Sequence, residues 1–540
     1  MKKLHLGWII WFVLIIVSLL PLLDLLRVGL PISHDGKDHV ARIANFYQSL
    51  SEGIIIPRWA GNLNWGYGHP ILMFLYPLPS YIGSAFHAIG FSFVDSVKLV
   101  FAFGFIASIF SMYLFASTVF GIQAGILAAV LYGFAPYRFV DMYVRGAIGE
   151  HIAFIFLPLI LLGLWRSSVI LIALSMVGLL LSHNAVSLMM LPIIGMFTVY
   201  LLVFQTKRKR EFVFRSLSGL IFGFVLSAFF WLPALIEGKY TLRDIVTRGE
   251  FTSRFVNFLD FFNPTWAYGT ASEISKFLGF AHIVVLVAAL YFVRFMGRTS
   301  KILLIGILVS VVAFLLLMTS VAEPVWKTVT LLQKFQFPWR FLHVTTFIVP
   351  IIAALVVATL GKHQRTLVVV LLSVIAIVSS VSMWHAKEYT SMPDSNFTGV
   401  YNGTTDTGES APIWSIRFME RSAKAPIEVI SGKDVSITIG TQTSTHHSYR
   451  ITSLSSVTLV ENTLYFPNWE VFVDKTRVPV EFQNPQFRGL LTFEVSEGVH
   501  DVEIIFSDTK LRTFANWISI VGIIIFLGFL VTMGLWQKRK

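Results

Sequence analysis

The chain has 540 residues, 55% of them hydrophobic and 13% charged, with no cysteine, a formal net charge of +12 and a mean hydropathy of +0.72. A soluble domain carries about a quarter charged residues, so lipid is the solvent for most of this chain, and the missing cysteines exclude disulfides, thiolate metal sites and thiol nucleophiles. The positive charge comes without a Lys/Arg-rich binding module, so no nucleic acid is expected as a partner.

The N-terminus, MKKLHLGWIIWFVLIIVSLLPLLDLL, starts basic like a signal peptide, but its apolar run is long and no small-residue cleavage site follows, so it reads as a retained first helix. A membrane span needs about 20 apolar residues. That yardstick picks out stretches near 7–27, 95–119, 122–136, 151–165, 168–183, 185–204, 214–235, 277–296, 302–321, 342–360, 366–384 and 515–535. A further apolar stretch from Pro70 to Gly90 contains Pro70, Pro77 and Pro79, which suit a broken or interfacial segment. Leaving it outside the membrane brings Lys2–Lys3, Lys207–Arg210, Arg294–Lys301, Lys362–Arg365 and Lys538–Lys540 to one side, as the positive-inside rule requires.

The sequence thus predicts a polytopic α-helical membrane protein with about twelve spans, in the plasma membrane, with both termini cytoplasmic. Residues 1–384 form the transmembrane domain, with a long first outer loop at 28–94, and 514–540 a last helix with a basic cytoplasmic tail. Between them, 385–513 is polar and holds alternating runs, DVSITIG, SYRITSL, WEVFVD, LLTFEV and DVEIIF, separated by turn residues. It is expected to be an extracytoplasmic β-sandwich.

The first outer loop begins PISHDGKDHVARIANFYQSL, which sets Asp35, Asp38, His39 and Arg42 on one face of a short helix. Two acids and a histidine at that spacing can serve as a general base or ligate a divalent cation. They equally suit a helix start, with Asp35 as the cap and Asp38 complementing the positive end of the dipole. The second outer loop packs Arg138, Asp141, Arg145, Glu150 and His151 into PYRFVDMYVRGAIGEH. Ionisable groups at that depth are costly and point to function, although Arg138 and Asp141 also suit a surface pair and Arg145 a snorkelling side chain.

Outer loops should be poor in basic residues, yet Arg58, Arg138, Arg145, Arg243, Arg248, Arg254 and Arg340 all fall there. Guanidinium groups bind phosphate through paired hydrogen bonds, so a lipid phosphate is the natural partner. Pairing with Glu237, Asp244, Glu250 or Glu273 accounts for some of them, but Arg340 has no acidic neighbour in sequence. His183 and Asn184, in LLLSHNAVSL, mark the outer junction of two spans. No P-loop, GxSxG, HExxH or dinucleotide fingerprint occurs in a suitable context.

At HDGKDHVARI, IPRWAGNLNWGYGHPILMFLYPLPSYI, APYRFVDMYVRGAIGEH, LSHN, FQFPWRFL, LYFPNWEVFVDKTRVPV and SEGVHDVEIIF the chain resembles bacterial membrane proteins labelled 6-pyruvoyl-tetrahydropterin synthase-related, near the YfhO family, within the GT-C superfamily of glycosyltransferases. The resemblance implies a GT-C-like membrane domain and a pocket for a polyprenyl-phosphate sugar. It also implies inverting transfer of that sugar to an extracytoplasmic glycan, teichoic acid or glycolipid acceptor.

By the same resemblance Asp35 matches the loop-one acid and becomes the general base, flanked by Asp38 and His39. Arg58, Arg138, Arg145, Arg340 and His183 are candidate lipid-phosphate contacts, and Asp141 and Glu150 match the second-loop carboxylates. The adjacent DxD form is absent; a divalent cation, Mg or Mn, has Asp35, Glu150 and His151 as its candidate ligands. No zinc-ligand set accompanies the pterin label. Two other readings stand beside this one, a lipid-phosphate transporter or flippase and a non-catalytic glycan-binding membrane protein.

Overall fold

The computed structural model describes residues 2–270 and 273–538, with side chains for 8–270 and 273–532. The side chains of the terminal basic clusters Lys2–Lys3 and Lys538–Lys540 lie outside those described. Helices occupy each of the twelve predicted stretches. Among the described residues eight are long and apolar enough to cross a membrane, or nine if the broken pair Lys209–Leu226 and Ala228–Tyr240 counts as one. Three apolar helices, Ile122–Gly133, Val169–Ser182 and Phe280–Phe295, are shorter. The first of these has 12 residues; at ~1.5 Å each it reaches about 18 Å, against a hydrocarbon core of about 30 Å.

The chain divides into two compact units. The first comprises Met1–Gly36, Val97–Val225 and Gly249–Ser391. Its central element is the helix Leu342–Ala358, mostly apolar and buried on every face, which packs against Ile122–Gly133, Phe280–Phe292 and Arg298–Leu317. The apolar window Pro338–Ala358 is 94% buried, whereas that of Arg298–Leu317 is 17% buried and exposes Val309, Val312 and Leu316. Water would not tolerate that exposed apolar face; hydrocarbon does, because a helix satisfies its own backbone polar groups. A two-stranded ribbon also belongs to this unit, β1 (Leu30–Pro31) pairing antiparallel with β2 (Tyr389–Thr390).

The second unit comprises Lys37–Ser96, Leu226–Arg248 and Met392–Lys540. Its β-structure has two antiparallel sheets built from β3 (Ile427–Ser431), β4 (Ser436–Gln442), β5 (His446–Ser453), β6 (Val457–Leu464), β7 (Trp469–Val473), β8 (Thr476–Val478), β9 (Leu490–Val495) and β10 (Gly498–Phe506). Their orders are β4-β5-β10-β7-β8 and β3-β6-β9. The alternating runs read from the sequence are β4, β5, β7, β9 and β10. Tyr449 and Ile451 of β5 and Val502 and Ile504 of β10 alternate into the core, as period-two patterning requires. The β7–β8 hairpin turns through Asp474 and Lys475, both at positive φ (48° and 65°), the backbone hand that matches strand twist in a two-residue loop.

The stretch Pro70–Gly90 is two helices, Ile71–Phe74 and Leu78–Ala88, broken ahead of Leu78 where Pro77 and Pro79 remove donors. It is broken as expected, but Ile71, Leu72, Met73 and Phe74 are buried rather than lying on a surface.

Candidate functional site

The second predicted loop folds as a short helix, Pro136–Phe139, followed by a π-helical turn, Val140–Arg145. Such turns are rare and recur at functional sites. The turn closes on Gly146 at φ +68°, and the N–H groups of Gly146 and Ala147 both donate to the Asp141 carbonyl. Glycine is required here on two counts. The left-handed backbone is costly for other residues, and a Cβ would lie 2.5 Å from Ser33 Oγ and 3.2 Å from the Gly36 nitrogen.

This close approach lets loop one dock. The N–H of His34 donates to the Val144 carbonyl (3.0 Å) and that of Asp35 to the Arg145 carbonyl (2.9 Å). Asp35 is exposed, at the residue before the helix Gly36–Ser51.

Behind this ladder lies a buried ionic cluster. Arg145 Nη1 donates to Asp141 Oδ1 (2.5 Å), Glu150 Oε2 (2.8 Å) and the Tyr137 hydroxyl oxygen (3.1 Å), and its Nη2 to Glu150 Oε1 (2.8 Å). The Tyr137 hydroxyl donates to Glu150 Oε2 (3.0 Å), and Arg340 Nε lies 2.9 Å from Glu150 Oε1. His183 Nε2 is 3.8 Å from the same oxygen, and the Arg145 guanidinium lies 4.7 Å from the Trp339 ring centroid. Arg340, without an acidic neighbour in sequence, therefore finds one in space.

Arg138 is fully buried and, among the described residues, no carboxylate lies within ion-pair distance of it. Nη2 donates to Ser108 Oγ (2.8 Å), the guanidinium lies 4.0 Å from the centre of the Phe154 ring, and Nε and Nη1 have no hydrogen-bond partner among the described residues. Burial brings its pKa down to about 10. Burial, and next the Glu150 carboxylate, push Asp141 well above the usual carboxylate range against the opposing Arg145. Three guanidinium groups face two carboxylates here, so the cluster carries surplus positive charge.

Asp141, Glu150 and His343 bring one ligand atom each within 4.8 Å of one another, the geometry a metal ion would need. The donor set fits a cation poorly. Both Glu150 oxygens already take two contacts each from Arg145, Arg340 and Tyr137, and a divalent ion would add charge of the sign already in excess. His151 stands apart from this group, its Nε2 against the Phe101 carbonyl at 3.1 Å.

The remaining predicted residues lie in the second unit. His39 Nδ1 is 2.9 Å from Arg42 Nη1, and Asp38 Oδ1 accepts from the Tyr401 hydroxyl at 3.2 Å. Arg58 pairs with Asp508 (3.0 Å) and donates to Asn516 Oδ1 (2.9 Å) and to the Phe229 carbonyl (3.2 Å). Tyr137, Trp339 and His343 were not singled out from the sequence, although each stands in or beside a quoted motif, APYRF or FQFPWRFL. Tyr137 also lines a narrow cavity of about 10 Å³ with Phe277, Leu278, His282, Leu342, Thr345, Thr346 and Val349.

The chain is 24% identical over 313 residues to an uncharacterized protein of Lactococcus lactis subsp. cremoris (strain MG1363), a match that covers 54% of this chain and 50% of that one. It thus spans about half the length of that relative. Among solved structures it is similar to the arabinofuranosyltransferase AftD from Mycobacteria, at 16% identity and a TM-score of 0.43, covering 69% of this chain and 26% of that one. It is also similar to ArnT from Cupriavidus metallidurans, at 13% identity and a TM-score of 0.39, covering 67% and 62%. The model of the 6-pyruvoyl-tetrahydropterin synthase related domain, described as a membrane protein, matches residues 72–386 and so takes in both the π-helical turn and the Arg340 motif. More than half of the chain lies in that match, and the chain belongs to the 6-pyruvoyl-tetrahydropterin synthase-related family of membrane proteins.

Proposed function

We propose that this protein is a glycosyltransferase of the plasma membrane. It takes a sugar from a polyprenyl-phosphate donor and passes it, with inversion, to a cell-envelope glycan or glycolipid on the outer face. The observation that supports this reading is the main-chain ladder from His34 and Asp35 to Val144 and Arg145, which ties an exposed carboxylate to the backbone of a buried, net-positive cluster.

In this reading Asp35 takes the proton of the acceptor hydroxyl while that oxygen bonds to the anomeric carbon. The bond from that carbon to the phosphate oxygen breaks, and the leaving phosphate gains charge beside Arg145 and Arg340, with Arg138 supplying the surplus. The sidedness of the basic clusters supports an outer-face reaction. No step runs through a metal ion.

The test is transfer of radiolabelled sugar from a polyprenyl-phosphate donor to envelope extract by the reconstituted protein. Asp35→Asn should lower the rate by ~100-fold or more while leaving the thermal midpoint unchanged. A wild-type rate in that variant overturns the assignment. Movement of the intact donor across the bilayer without transfer would instead establish the flippase reading.

A further inference from the structure

Within the first unit, the helix Arg298–Leu317 has 20 residues, and at ~1.5 Å each it reaches about 30 Å, the thickness of the hydrocarbon core. Arg294, Arg298 and Lys301 cluster at its start, the mark of a cytoplasmic end. Its last carbonyls, which have no partner within the helix, therefore fall where the opposite leaflet gives way to water.

Two connecting segments close on those carbonyls. The N–H of Val256 donates to the Met318 carbonyl (2.9 Å), and Trp326 Nε1 donates to the Leu317 carbonyl (2.9 Å). Phe251 stacks on Trp326 with ring centroids 5.5 Å apart, so the segments also hold each other. Both are fixed at the depth of the helix end rather than free to extend into water.

Their exposed side chains are the wrong ones for water. Phe258, Leu259 and Phe262 are exposed in the first segment, Leu259 at 76%. In the second, Val321, Val325 and Val329 are exposed and four apart, which sets them along one side of the helical run from Ser320 to the cap Val329. Ala322 and Trp326, one position on from the first two, are buried. Glu323 and Lys327, two positions on, take the opposite side and pair at 2.8 Å. A helix on a soluble surface turns its apolar side to the core and its polar side to water. Here a second apolar stripe stands opposite the charged pair, which is the pattern of a helix lying in the membrane interface, apolar side in the acyl boundary and charge toward water. Leu316, exposed one residue before the helix end, brings the lipid-facing surface of Arg298–Leu317 to the same depth.

We infer that residues 256–262 and 320–333 form a shelf seated in the outer leaflet, with Phe258, Leu259, Phe262, Val321, Val325 and Val329 among the acyl chains just below the headgroups. The occupant of this surface is lipid rather than a second protein, because the apolar side chains stand at the depth where the span leaves the hydrocarbon. The shelf leads into the turn Pro338–Phe341, whose Arg340 Nη1 donates back to the Phe335 carbonyl (2.9 Å), so lipid contact fixes the height at which that turn enters the membrane. The seating does not depend on the reaction proposed above.

The chain has no cysteine, so Leu259→Cys and Val321→Cys each supply a single thiol for a nitroxide label. The full-length protein is reconstituted in vesicles of phosphatidylcholine and phosphatidylglycerol. Collisions of the label with oxygen, which partitions into lipid, are compared with those of a water-soluble nickel chelate. The reference is Leu454→Cys, 74% exposed in the turn between β5 and β6. At Leu259 and Val321 the ratio of oxygen to nickel collisions should exceed the reference by on the order of tenfold. A ratio equal to the reference puts the segments in water and overturns the proposal. Low collision with both probes does so too, because a second copy or another protein then covers the surface, as does a raised ratio on one segment alone. Both side chains point away from the core, so the fold should tolerate the changes; Phe258→Cys and Val325→Cys repeat the measurement on the same two segments should either variant fail to fold.

Discussion

Replacing Glu150 by Gln tests whether the ionic cluster is a dry, mutually dependent network. Glu150 has no exposed surface, and its two oxygens take contacts from Arg145, Arg340 and Tyr137 at 2.8 to 3.0 Å. Glutamine keeps the shape but removes the charge, and its amide nitrogen presents donors to guanidinium donors. Breaking a buried pair from one side costs about 3–5 kcal/mol, because the partner charge is left uncompensated. Here Asp141 still faces Arg145, so the lower end, about 3 kcal/mol, is expected. At ~2–4 °C per kcal/mol for a large domain, the thermal midpoint of the detergent-solubilised protein should fall by roughly 10 °C. Arg340→Met alone removes a charge and a donor to Glu150 Oε1, and in the Glu150→Gln background it should recover part of the loss, a coupling of about 1 kcal/mol or more in the double-mutant cycle. A midpoint within 1 °C of wild type, or strictly additive variants, would mean that water screens the cluster and that Glu150 is not held in a dry network.

Gly146→Ala should destabilise by about 1–3 kcal/mol, from the left-handed backbone and the collision with Ser33 Oγ; the companion change Ser33→Gly should restore part of the thermal midpoint. Arg138→Met should keep stability within ~1 kcal/mol, since it removes an unpaired buried cation, yet should raise KM for the anionic donor, measured in the transfer assay. In the β-structure, burial opposes the charge on His447, but the Glu461 carboxylate 2.6 Å away outweighs it and holds the imidazole above its ordinary 6.5. A raised histidine stabilises fully below its unfolded pKa and loses that contribution as pH climbs through its folded value. The thermal midpoint of wild type should therefore fall between about pH 6 and pH 8, and that fall should be smaller in His447→Gln.

The sequence by itself determined the membrane helices, the polar block with its alternating strands, the break near Pro77 and the two loops that contain Asp35 and Arg145. These are local properties: apolar length, period-two alternation and proline's missing donor are written in consecutive residues. Only the tertiary structure decided how those loops meet. Glu150 and Arg340 are far apart in sequence, and nothing near either one names the other; they pair because Ile148–Ala153 and Pro338–Phe341 start at one buried place in the first unit. The arginines read from the sequence as free for phosphate are partly neutralised within the fold, leaving Arg138 as the surplus. Tyr137 and His343 joined the cluster for the same reason. The two-unit division cuts through loop one between Gly36 and Lys37, a boundary that no change in composition marks, because compactness follows from long-range packing rather than from residue type.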